Sequence, residues 1–262
     1  MKKIITMVLL MTVFNSSACV FALNEHTSGD LCESSSQSIC KNEESKKILN
    51  VKYYGQQESG LVSGCEAVSS SMLLSYYGCD ISPKDFSDYY IIKKDWTVKA
   101  RRTFYGADPN SAYVGNPYIK SGMNCGFGCY APAIVKAINR AFAEKDSTRL
   151  AINVTGVTIE HLIDKYIKND QPVLLWATMD MKESRPTVSW KVDYVDENAK
   201  YALGQTYTWI AGEHCLVLVG YDNDNYYFND PYMNHGLISY NKDLVNKRYH
   251  ELGMQSVAVI EK

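Results

Sequence analysis

Residues 63–78 read SGCEAVSSSMLLSYYG, and the fold turns on this stretch. Ala67, Val68, Met72, Leu73 and Tyr76 fall at three- and four-residue steps, which predicts a helix over residues 66–77. Gly78 follows, as a glycine commonly does just past a helix C-terminus. Cys65 therefore stands where a glycine-containing loop turns into a helix. There the unpaired backbone N–H groups and the helix dipole favour a thiolate, the nucleophilic form of cysteine. A buried or disulfide-bonded cysteine is the competing reading of the same position.

Outward from this helix, residues 48–53 alternate roughly like a strand, and the compact domain is expected to run over residues 47–262. Ser82 as a cap and Pro83 at the first position predict a short helix through Tyr90. Residues 93–130 read as a long irregular stretch, the kind of loop that more often carries function than not. Helices are expected over 131–144, with Ile134, Val135, Ile138 and Phe142 inward, and over 158–168, capped by Thr158. Apolar runs at 172–177 and 214–219 predict buried strands, and Asp222 to Asn225 predicts a turn into a strand over 226–229. Strands at 236–240 and 257–260 complete an α+β class: helices early, then a mostly antiparallel sheet.

A thiolate needs an imidazole to pair with it and later to protonate a leaving amine. The chain has five histidines. His26 lies in a polar lead-in, His161 between acids on a predicted helix, His235 in a turn and His250 at the end of a polar run. His214 opens the apolar strand directly after Gly212-Glu213, a place for either a core-edge or a catalytic histidine. The turn at 222–225 returns the next strand antiparallel, which brings Asp230 to the end of the sheet where His214 begins. A carboxylate there can fix the imidazole's tautomer and orientation, although an aspartate before Pro231 is also an ordinary turn residue. An oxyanion donor beside the Cys65 N–H is expected from Gln56, with Gln57 nearly as well placed. Asp222 and Asp224 do not form a calcium loop, because Tyr226 and Tyr227 occupy positions that need a ligand and a glycine.

The 262 residues are 46% hydrophobic and 21% charged, ordinary globular usage that excludes a wholly disordered chain. With 27 basic and 29 acidic side chains, the net charge of −2 argues against a nucleic-acid or membrane-surface binder. Lys2 and Lys3 precede an apolar run through Phe14, and Ala22 ends a plausible cleavage site, so residues 1–22 are expected to be a secretory signal peptide. The run is too short to span a bilayer, and no transmembrane segment is expected. Lipid attachment at Cys19 is a minor alternative. Residues 23–46 read as a polar, flexible lead-in.

Eight cysteines are present, at 19, 32, 40, 65, 79, 125, 129 and 215. Cleavage after Ala22 leaves an odd number, consistent with one free thiol and up to three disulfides in an exported protein. Local pairing suggests Cys32 with Cys40 and Cys125 with Cys129. A zinc site is a weak third reading, since Cys125 and Cys129 have no second pair at finger spacing.

Three segments together carry a resemblance: Gln56 with Ser63-Gly64-Cys65-Glu66-Ala67, then Gly212-Glu213-His214-Cys215 through Tyr221, then Tyr227-Phe228-Asn229-Asp230-Pro231. With Gly126 to Asn139 between them, they resemble the papain-like cysteine peptidases related to the bacteriocin-processing, double-glycine family, in its stand-alone exported branch. The resemblance implies Cys65 as nucleophile, His214 as general acid/base, Asp230 as the orienting acid and Gln56 as oxyanion donor. It implies a papain-like fold, a peptide or protein substrate, and no metal or organic cofactor. A cell-wall peptide hydrolase or an acyl-transferring thiol enzyme would use the same triad, and a secreted binding module with a vestigial site is the reading from another class.

Overall fold

The computed structural model describes residues 46–262. The expected signal peptide, all but the last residue of the lead-in, Cys19, Cys32, Cys40 and His26 lie outside the described residues. From the N-terminal side come β1 (Lys47–Ile48), α1 (Cys65–Tyr76), α2 (Pro83–Asp85), β2 (Lys93–Lys94), β3 (Thr97–Lys99), β4 (Thr103–Ala107), β5 (Tyr113–Val114) and α3 (Ala131–Glu144). They are followed by β6 (Arg149–Asn153), α4 (Ile159–Lys165), β7 (Val173–Thr178), β8 (Arg185–Tyr194) and β9 (Thr206–Ala211). The remainder is β10 (Glu213–Tyr221), β11 (Asn225–Asp230), β12 (Gly236–Asn241), α5 (Lys242–Glu251) and β13 (Ser256–Glu261).

The main sheet is antiparallel throughout, in the order β12-β11-β10-β7-β13-β6, with β1 also pairing β10. Its two central strands, β7 and β10, are buried along their whole length. That is why they read as unbroken apolar runs rather than alternating ones: both faces are covered. The β10–β11 hairpin is the one expected from the 222–225 turn, closed by the Asp222 N–H donating to the Asn225 carbonyl. In its register Val217 faces Asn229, which brings Asp230 level with Leu216. His214 lies two residues further along on the same face, since side chains alternate with period two.

α1 forms where its spacing predicts and is buried on every side over its first ten residues. Every residue from Cys65 to Leu74 is buried, including three serines. Ser69 donates to the Cys215 carbonyl at 2.9 Å, seating the helix on β10. Small hydroxyls at these places let the helix lie close to the sheet.

Elsewhere the elements shift from expectation in specific ways. Of the strand expected over 48–53, only Ile48, with Lys47 before it, pairs as strand; the Val51 N–H turns back to the Leu49 carbonyl. Ser82 does cap its helix, which passes into a π turn over Phe86–Tyr90. The stretch over 93–130 holds four short strands, β2 to β5. A second, four-stranded sheet, β3-β4-β8-β9, is built half from this stretch and half from residues 185–211. An aromatic cluster including Phe127, Trp190, Tyr207 and Trp209 backs it.

The expected Cys125–Cys129 disulfide is not formed. Cys65, Cys79, Cys125, Cys129 and Cys215 are all free thiols. Between the two candidates the chain runs out as extended backbone, with the Phe127 N–H donating to Val114 and the Val114 N–H to Gly128. Cys129 is consequently carried into the core while Cys125 stays partly exposed.

Candidate active site

Cys65 begins α1, and Gly64 before it supplies no side-chain cap, so the first-turn N–H groups have no side-chain oxygen from the cap position. The loop presenting it is pinned from outside: the Ser63 N–H donates to the Pro117 carbonyl, and the Tyr113 hydroxyl to the Ser63 carbonyl. A cavity of about 450 Å³ opens beside it, with Cys65, Gln56, Glu213 and His214 on its wall. The irregular stretch contributes Lys120 and Phe127 to that wall, and the second sheet contributes Trp209.

The structure brings His214 and Asp230 together. His214 Nε2 lies 2.6 Å from Asp230 Oδ1, and both side chains are almost wholly buried. Burial alone would raise the Asp230 carboxyl, but the His214 imidazole, the Tyr232 N–H and His235 outweigh it and hold it below the usual aspartate value. The Tyr232 N–H donates to Oδ1 at 2.9 Å, and the Tyr240 hydroxyl to Oδ2 at 3.3 Å. His235, read from sequence as a turn residue, stands with Nδ1 3.5 Å from Asp230 Oδ2.

The segment leading to Gln56 is laced to this end of β11. Asn229 donates to the Val51 carbonyl, Tyr53 to the Asp230 carbonyl, and the Gln56 N–H to the Pro231 carbonyl at 2.9 Å. Gln56 is buried, and its Oε1 has no partner. Gln57 is exposed, with its amide on the Met233 sulfur. Of the two glutamines left open by spacing, Gln56 is the buried one and Gln57 the exposed one, and both line the cavity.

Two groups near the thiol were not anticipated. The Cys65 thiol donates to Glu66 Oε2 at 3.4 Å rather than to the imidazole. Glu66 Oε1 accepts the Cys129 N–H at 2.7 Å. Glu213, from the start of β10, is also buried, and Glu213 Oε1 has no partner. The donor atoms of Cys65, Glu66 and Glu213 lie within 4.8 Å of one another. Burial pushes the Cys65 thiol well up, and the two carboxyls push it further; the Cys215 N–H works the other way. Burial also raises Glu66, to about 7, and drives Glu213 well above the carboxylate range, with Glu66 adding to the rise. Gly128 crosses directly over the pair: a Cβ there would sit 2.5 Å from Glu66 Oε1 and 2.9 Å from Glu213 Oε2, and its φ of +143° suits glycine. The available signal was an acid inside an apolar run, present at both Glu66 and Glu213.

Among the described residues, the remaining histidines do not line this cavity. His161 and His250 are exposed on α4 and α5. No helix among the described residues is long and apolar enough to cross a membrane.

Comparison with known proteins places the chain in a family. Over 218 residues the chain is 25% identical to the uncharacterized protein YvpB of Bacillus subtilis (strain 168), covering 82% of this chain and 76% of that one. Its fold matches a crystal structure from Bacillus anthracis assigned as a C39-like peptidase. The TM-score is 0.67 at 24% identity, over 83% of this chain and 98% of the other. A model of the Peptidase C39-like family matches residues 48–257, nearly the whole described region and all of the segments that build the cavity, and the chain belongs to that family.

Proposed function

We propose that the protein is an exported cysteine peptidase of papain-like design that hydrolyses peptide bonds through Cys65, His214 and Asp230, with Gln56 as oxyanion donor. The observation that carries this reading is the buried 2.6 Å contact between His214 Nε2 and Asp230 Oδ1, on the wall of the cavity that also holds Cys65. With Nε2 engaged by the carboxylate, Nδ1 is the ring nitrogen left to serve as base.

The Cys65 proton passes to His214 Nδ1, and the sulfur attacks the substrate carbonyl carbon. The carbonyl oxygen becomes an oxyanion, held by the Cys65 N–H and the Gln56 amide. As the intermediate collapses, the C–N bond breaks and His214 gives its proton to the leaving amine. Water, deprotonated by His214, then attacks the thioester and releases the acid and the free thiol. Catalytic hydrogen bonds are commonly loose without substrate, so the thiol's present bond to Glu66 belongs to the resting state.

The family membership favours a peptide substrate, and the basic-apolar start of the chain favours export, with residues 1–22 removed, 23–46 a lead-in and 47–262 the catalytic domain. Incubation of the mature protein with a mixed peptide library and, separately, with purified peptidoglycan tests the reading. Cleaved peptides that vanish in Cys65→Ala are expected. Release of wall peptides alone would move the function to a cell-wall hydrolase, and activity retained in Cys65→Ala would overturn the mechanism.

A further inference from the structure

Glu66 and Glu213 are two acids in the interior with atoms close to the same sulfur. Two neighbouring buried carboxyls cannot both ionise at ordinary cost, because each charge raises the other. Four further observations bear on how the pair resolves this. Glu66 is the better solvated by protein, accepting the Cys129 N–H and the Cys65 thiol. Glu213 has an oxygen with no partner. A glycine backbone closes over both. Beside them stand Cys129, Cys215, Tyr113, Tyr130 and His214, of which His214 alone can supply a positive charge.

We propose that Glu66 and Glu213 are positioning residues for Cys65: a buried pair holding one proton on Glu213, whose single negative charge on Glu66 keeps the resting sulfur protonated. The proton stays on Cys65, hydrogen-bonded to Glu66, until a substrate in the cavity and the His214 imidazole draw it away. The same charge keeps the thiolate fraction of the resting protein low, and thiolate is the form that alkylating and oxidising agents attack. The pair thus gives an exported thiol a resting state inert to oxidants. The consequence for catalysis rests on the peptidase reading, but the state of the sulfur does not.

The test is the pH profile of iodoacetamide labelling at Cys65, followed by mass spectrometry of the peptide that contains it. It needs no substrate. In Glu66→Gln the labelling midpoint should fall by about one pH unit or more, because the charge against the sulfur is gone. In Glu213→Gln it should stay or rise, because the charge on Glu66 remains. A purely structural role would move neither midpoint in folded protein, and equal downward shifts in both variants would also overturn the assignment.

Infrared spectra of the unaltered protein in mildly alkaline buffer cover the case where a variant fails to fold. A protonated-carboxyl band is expected, and its absence would sink the proposal. Treatment with EDTA should leave the profile unchanged; a shift would mean that a cation rather than a proton balances the pair. Failure of the unaltered protein to cleave any peptide, alongside the expected shifts, would count against the peptidase reading and leave this one standing.

Discussion

Replacing Asp230 by Asn tests the link between β10 and β11 most directly. Asp230 Oδ1 lies 2.6 Å from His214 Nε2 and takes a second bond from the Tyr232 N–H, while Oδ2 takes the Tyr240 hydroxyl. Hydrogen bonds to a charged group are worth about 1.5–3 kcal/mol and neutral ones about 0.5–1.5 kcal/mol. Neutralising the acceptor therefore removes about 1–2 kcal/mol from the imidazolium that forms during turnover, or ~5- to 30-fold in rate. A second loss comes from the amide nitrogen. If it turns toward Nε2, that nitrogen becomes the acceptor and the proton moves to Nδ1, the atom needed as base. Together the two effects should lower kcat by ~10²-fold or more, with KM little changed. His214→Ala removes the proton carrier itself and should cost more. The assay is cleavage of the best library peptide, followed over substrate concentration in variants matched by circular dichroism. Equal losses in Asp230→Asn and His214→Ala would assign Asp230 a structural role and refute the reasoning.

Cys65→Ala should abolish turnover and leave the fold intact, because the side chain's hydrogen bonds are the weak ones of a thiol, to Glu66 and from the Cys215 N–H; thermal unfolding within a few degrees of the parent protein checks this. Gln56→Ala should lower kcat by ~10²–10³-fold through loss of an oxyanion donor, whereas Gln57→Ala should change it little, and the reverse ranking would reassign the donor. The pH dependence of stability has a worked sign. Glu66 rises in the fold from 4.5 to about 7, so its contribution is complete below 4.5 and is lost as pH climbs through 7, about 3 kcal/mol in all. Asp230 acts oppositely: its pKa is lowered, so its contribution holds above 3.8 and is lost as pH falls. Urea unfolding across pH should show greatest stability in weakly acidic buffer, and the alkaline decline should flatten in Glu66→Gln; an equal decline in both proteins would contradict the assignment.

Of the proposed triad, the His214–Asp230 contact was legible because each residue sits at a boundary that sequence marks well, as does Cys65. Gly64 opens the helix, Gly212 precedes the strand, and the 222–225 turn sets the hairpin that carries Asp230 back. β8 and β9 escaped notice because their signal is divided. Their exposed face carries Ser189 and Thr208, bonded to each other, while Trp190 and Tyr207 turn inward. No apolar run forms, and the sheet closes only when β4, some eighty residues earlier, pairs with β8. The strands at 93–130 were illegible because β2, β3 and β5 have only two or three residues each, too few to show a period.

Glu66 and Glu213 show where reading by residue type stops. Each is flanked by residues that belong to the core, and acids in such places are almost always paired or protonated. That rule flags both positions but cannot join them, because 147 residues separate them in the chain and only the packing of α1 on β10 makes them neighbours. The same packing puts Cys65, at the start of α1, on the cavity wall with His214, near the start of β10. On the two readings proposed above, one helix–strand contact decides two things at once: which base can take the Cys65 proton, and which acid holds it meanwhile. A substitution that slides α1 along β10, such as Ser69 to a larger side chain, should disturb both together. It should shift the labelling midpoint of Cys65 and lower kcat in the same variant. A variant that changed one and left the other untouched would show that the two arrangements are set independently.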